Sequence, residues 1–193
     1  MTTQVKNKAD TIKLPAPHRW TRRQYDQMIE AGILGADDRV ELIDGEIIEM
    51  SPQGSRHATL LYLAAEALRT AYPDGYLARV QLPMVLDPDA EPEPDVAIVE
   101  GNARDYLDEH PTTAILVVEV SDATLALDRA RKARLYVRHQ IPEYWILNVE
   151  DEALEVYRDP VGETYQTKTT LHRGDSITPP EATNAIAVAD VLP

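Results

Sequence analysis

The chain contains no cysteine, no phenylalanine and no long apolar run. Without Cys there can be no disulfide, no thiolate zinc site and no Cys nucleophile. Without Phe the core falls to Leu, Ile, Val and Ala, aided by two Trp and nine Tyr whose N–H and O–H groups favour core edges. No stretch approaches the roughly 18 apolar residues of a membrane span. The opening MTTQVKNKAD lacks the apolar segment of a signal peptide. Cations are scarce too: 19 Lys and Arg face 33 Asp and Glu, a net charge of −14. A field of that sign repels polyanions, so nucleic-acid affinity cannot be argued from net charge. The expectation is a cytoplasmic protein that makes no membrane contact.

What remains is globular composition. With 193 residues, 44% of them apolar and 27% charged, the chain has the size and make-up of one ordinary domain. We place that domain at 18–193, after a polar lead-in at 1–17 that ends in LPAP. Thr21 is a good N-cap for a helix through Tyr25, Met28 and Ile29, closed by Gly32 and Gly35. Asp44-Gly45, between two apolar alternations in RVELIDGEIIEMSP, signals a hairpin. Helical spacing runs from His57 to Ala71, and short strands are expected over 75–80 and 82–86. The stretch DPDAEPEPD reads as a stiff acidic loop. Strand DVAIV, a polar connection from Glu100 to Thr113, and the buried-type strand AILVVEV follow. A helix over 127–140 and strands near 144–149, 153–157 and 164–170 complete the order. The pattern implies an α/β fold of the α+β kind, one mixed sheet flanked by helices.

Glu119 is the anomaly, a lone acid inside an apolar run. An ionised carboxylate taken from water needs a partner. Asp95 opens the preceding strand, so antiparallel pairing would bring the two carboxylates to one end of the sheet. Two close acids need a cation between them. Oxygen donors without Cys or clustered His favour Mg²⁺, Mn²⁺ or Ca²⁺ over zinc. The following helix, LDRARKARLYVRHQ, sets Arg129, Arg131, Lys132, Arg134 and Arg138 against Asp128 alone. A cationic helix beside an acidic metal pocket suits a phosphodiester, with Arg129, Arg131 and Arg134 on the flanking phosphates.

The ordered set PEPD at 92–95, LVVEVS at 116–121, DRARKARLY and IPEYW resembles the Uma2 (DUF820) family of the PD-(D/E)XK, restriction-endonuclease-like superfamily. The resemblance runs from about Thr21 to Tyr157. It implies a restriction-endonuclease-like sheet and Mg²⁺- or Mn²⁺-dependent endonuclease activity on nucleic acid, DNA in the first instance. By position it makes Asp95 and Glu119 the metal-holding acids. The superfamily pattern wants Lys two residues after the second acid, where this chain has Ser121; Lys132 is the nearest substitute. Glu41 is the matching candidate for an additional acid, on the strand face of Ile43 and opposite Ile48. A homodimer suits cleavage of both strands of a duplex.

Plainer readings stand beside these. Glu119 could pair with an arginine of the next helix, Lys132 with Asp128 at i, i+4 on a solvated face, and Glu41 could be an exposed hairpin residue. His57 opens a helix next to the expected pocket, but a lone histidine at a helix start is more often a cap or surface residue than a site residue. At the level of function the rivals are a catalytically inactive restriction-endonuclease-like module that binds protein or nucleic acid, and a two-carboxylate glycosidase.

Overall fold

The computed structural model describes residues 16–35 and 37–192. Most of the expected lead-in at 1–17 lies outside the described residues. Helix α1, Arg22–Glu30, starts where Thr21 and Gln24 cap each other reciprocally. Strands β1 (Val40–Ile43) and β2 (Glu46–Glu49) form a separate two-stranded sheet about the Asp44-Gly45 turn. Asp44 and Gly45 both take the positive φ that a type I′ turn requires. Glu41 pairs with Ile48, as the alternation implied, and is buried.

Helix α2 is Ser55–Ala71. The main sheet is built from β3 (Tyr76–Val80), β4 (Val96–Glu100), β5 (Leu116–Ser121), β6 (Glu143–Asn148), β7 (Ala153–Val161) and β8 (Thr164–Leu171). These six strands lie side by side in chain order, and only β5 and β6 are parallel. That parallel step needs a crossover, supplied by the helical segment α3 (Leu125–Leu127, Asp128–Lys132 and Ala133–Arg138). Short strands β9 (Ser176–Ile177) and β10 (Ile186–Ala187) and helix α4 (Val188–Val191) close the chain.

Alternation along the strands divides the core in two. Val96, Ile98, Val118, Val120 and Leu147 pack under Leu61, Ala65 and Leu68 of α2, with Val188 and Val191 of α4. Ala97, Val99, Val117, Tyr144 and Ile146 face the opposite way, onto Leu135 and Tyr136 of α3 and Ile43 of the hairpin. The central strands are therefore covered on both faces, and chemistry is left to the sheet's ends.

Two expectations need correction. No strand forms over 82–86. Pro83 has no N–H to give a ladder, and Met84, Val85 and Leu86 send their N–H groups to Pro92, Pro111 and Ala90. The segment is pinned from three sides instead of being zipped along one. The helix expected over 127–140 begins earlier, at Leu125, and is interrupted. Ala133 N–H bonds back to Asp128 O, five residues away, so Asp128–Lys132 is a π turn. That wider turn leaves both Asp128 and Lys132 buried.

Candidate active site

Register brings the site together. β3 pairs with β4 through Val80 and Val96, and β4 with β5 through Val96 and Val118. One residue further along each ladder, Gln81, Asp95 and Glu119 stand in a single cross-strand row at the sheet's end. Side chains directly opposite in such a row lie about 5 Å apart at Cβ. Both carboxylates fall on the α3 side of the sheet, by alternation from Ala97 and Val117.

Each acid has partners. Asp95 Oδ2 accepts the Val120 N–H at 2.8 Å, and Oδ1 accepts Gln81 Nε2 at 3.1 Å and meets His57 Nε2 at 3.2 Å. Glu119 Oε1 accepts from Lys132 Nζ at 3.0 Å and Tyr136 O–H at 2.8 Å, while Oε2 receives no hydrogen bond among the described residues. Lys132 Nζ also lies 3.1 Å from Glu41 Oε1, and Glu41 Oε2 accepts the Glu93 N–H. Lys132 is thus not on a solvated face, and its ion pairs are not with Asp128: at 5% exposure it joins Glu119, from β5, to Glu41, from the hairpin. Asp128 accepts the Thr124 hydroxyl at 2.6 Å. Ser121, at the position where lysine was expected, is buried, and its Oγ lacks a hydrogen bond among the described residues.

The local electrostatics follow from this packing. Burial raises the Glu119 carboxyl well above its ordinary value, Lys132 opposes the rise, and Asp95, Asp128 and Glu41 add to it. Burial therefore leads and like charge comes second. Burial acts on Lys132 downward, but Glu119 and Glu41 outweigh it and keep the ammonium charged. Asp95 goes the other way. Its burial is overcome by the His57 and Val120 hydrogen bonds, which hold it below the usual carboxylate range. His57 is raised above 6.5, chiefly by its hydrogen bond to Asp95.

A pH prediction arises here. His57 has a raised folded-state pKa, so its contribution is complete below 6.5 and is lost as pH climbs through the folded value. Asp95 is depressed, so its contribution is present above 3.8 and is lost as pH falls through its folded value. Between 3.8 and 6.5 both are in place. Urea unfolding of His57→Gln should show a loss at pH 6 that shrinks by pH 9. An equal loss at both values would mean that the pair is not ionic.

Glu41, His57, Gln81, Asp95, Glu119 and Lys132 line a cleft of about 90 Å³, together with Arg39, Glu93 and Asp122. Acids dominate its walls, and Arg39 and Lys132 are its permanently charged cations. The sequence reading missed Gln81 and Arg39 and favoured a cap or surface role for His57, which instead meets Asp95 in the cleft; Pro-Asp next to a strand end gave no sign of which donors would meet it. Arg129, Arg131 and Arg134 are elsewhere. Arg129 pairs with Glu155, Arg131 with Glu46 at 2.8 Å, and Arg134 with Glu163 at 2.7 Å. The Glu155 carboxyl feels burial upward, yet Arg129, Lys168, Tyr157 and Asn148 pull it down to about 2. The arginine helix is cationic in sequence and neutralised in space.

For a divalent ion the donor chemistry fits: two hard carboxylates on one row, one of them with a lone oxygen. Among the described residues no group of three or more His, Asp or Glu side chains is placed to hold a metal ion, and hydrogen-bond donors occupy Asp95 and one oxygen of Glu119.

Comparisons place this architecture. No curated protein matches the chain. A solved structure described as a putative nuclease belonging to DUF820, from Anabaena variabilis ATCC 29413, shares the fold with a TM-score of 0.71 at 15% identity. The match covers 89% of this chain and 97% of that one. The Uma2 family model, described as "Putative restriction endonuclease", matches residues 22–190. The chain belongs to the Uma2 family.

Proposed function

We propose that the protein is a metal-dependent nuclease that hydrolyses phosphodiester bonds, with DNA the first substrate to test. One observation carries the reading: Asp95 and Glu119 share a cross-strand row in an acid-lined cleft, with the Lys132 ammonium 3.0 Å from Glu119. Asp95 and Glu119 would hold Mg²⁺ or Mn²⁺, which when bound polarises a phosphoryl oxygen and lowers the pKa of an attacking water. Lys132 supplies fixed positive charge where negative charge develops, preorganised by Glu41 and Glu119. Glu41 therefore serves through Lys132. Arg39 is exposed at the cleft and has no carboxylate partner among the described residues, so it is the cation free to meet a substrate phosphate. Arg129, Arg131 and Arg134 hold α3 to the hairpin and to β7–β8, and their proposed phosphate contacts pass to Arg39. Two chains about a two-fold axis would present one site to each strand of a duplex.

A catalytically inactive binding module is the second reading, favoured by the three donors already on Asp95. Melting curves with and without Mn²⁺ or Mg²⁺, beside a plasmid-cleavage assay, separate the two. A nuclease gains stability with the ion, by RT ln(1 + [L]/Kd), and cuts only in its presence. No shift and no cleavage would leave the binding module.

A further inference from the structure

Gln81 lies at the outer end of the Gln81–Asp95–Glu119 row, and its backbone is unusual for its place. Its φ is +49°, in the left-handed region that side chains other than Gly and Asn seldom adopt. The other non-glycine residues with positive φ among the described ones, such as Asp44 in the hairpin turn, do not line the cleft. Gln81 does.

The turn has a result. Gln81 N–H donates to the Asp95 backbone O at 3.1 Å, closing the β3–β4 ladder one rung past Val80. Its side-chain Nε2 donates to Asp95 Oδ1, also at 3.1 Å. One residue therefore grips both the main chain and the carboxylate of Asp95. Glycine would take this φ without strain but would bring no donor. Strained backbone persists where the surroundings hold it, and here what the strain delivers is an amide aimed at a candidate metal ligand.

We propose that Gln81 is a positioning residue for Asp95, kept in a left-handed turn so that its amide fixes the orientation of the Asp95 carboxylate. It acts through Asp95 and touches no substrate. The inference rests on the reading of Asp95 as a metal ligand, and it concerns how that ligand is held.

The test compares the full-length parent with Gln81→Gly and Gln81→Glu. Gln81→Gly removes the donor and relieves the turn; Gln81→Glu keeps the length and replaces the donor with an acceptor. For Gln81→Gly the metal-free Tm should equal or exceed that of the parent. Its Mn²⁺ Kd by calorimetry should rise about 10- to 100-fold, as for other outer partners of metal ligands. Its kcat should fall with KM unchanged, and a metal-free crystal structure should show Asp95 outside its parent rotamer. Gln81→Glu should lose at least as much Mn²⁺ affinity. A Gln81→Gly protein with parent affinity and the parent Asp95 rotamer would overturn the proposal, as would a drop in Tm, which marks a merely structural residue. If the parent itself neither binds Mn²⁺ nor cuts DNA, the nuclease reading fails, and the Asp95 rotamer in Gln81→Gly still decides the role of Gln81.

Discussion

Lys132→Met should lower stability by about 3–5 kcal/mol at neutral pH, the cost of removing one partner from a buried ion pair. The methionine fits the space, but Glu41 and Glu119, both 3% exposed, lose the cation between them. Lys132 opposes the burial that raises the Glu119 carboxyl, so without the ammonium that carboxyl holds its proton still more tightly folded than unfolded. The deficit relative to the parent should therefore be small near pH 4 and grow as pH rises. Urea denaturation of both proteins at pH 4.5 and 7.5 measures it. A deficit that does not change with pH would show that Lys132 stabilises by packing its stem and not by its charge. Catalysis should be lost at every pH.

Glu119→Gln is expected to part stability from function. Gln can still accept from Lys132 and Tyr136, and Lys132 keeps Glu41 at 3.1 Å, so no charge is stranded. The change in stability should stay within about 1 kcal/mol. Mn²⁺ affinity should fall by at least about 100-fold, since even outer partners of metal ligands cost about 10–100-fold. Cleavage should vanish with it. Calorimetry and the cleavage assay on one preparation give both answers. Unchanged Mn²⁺ affinity would remove Glu119 from the metal site, and a loss above about 3 kcal/mol would make it a structural pair.

Much of this arrangement was legible in the residues. Asp44-Gly45 fixed the hairpin and set Glu41 opposite Ile48, because a period of two allows no drift, but it left open whether that face was exposed or turned inward. Glu119 stood out because an acid in an apolar run has to be met, and Asp95 followed from antiparallel pairing of two adjacent strands. The partners of the arginines were not legible. Glu46 lies 85 residues from Arg131, and Glu155 lies 26 from Arg129. Counting charges along a helix says nothing about carboxylates that the fold will bring from elsewhere. The π turn at Asp128–Lys132 was equally silent, since one wider turn barely disturbs the apolar period yet changes which side chains point inward. Gln81 could not be found because its role lies in a backbone angle, and sequence patterns encode such angles plainly only for Gly, Asn and Pro.

The hairpin pairs with no strand of the main sheet, although Ile43 packs against its α3 side, and that lack of strand pairing sets the order in which the molecule would come apart. A two-stranded ribbon is marginal alone. This one leans on the buried Leu42 and Ile43, on the Leu42–Glu91 backbone bridge, and on half-exposed pairs of Glu46 with Arg131 and Asp44 with Arg138. Rising ionic strength weakens such pairs while sparing the apolar sheet. Sub-global opening would then release the ribbon first, carrying Glu41 away from Lys132 while the β4–β5 rung stays closed. The salt tolerance of turnover would be that of the ribbon, well below the salt tolerance of the fold.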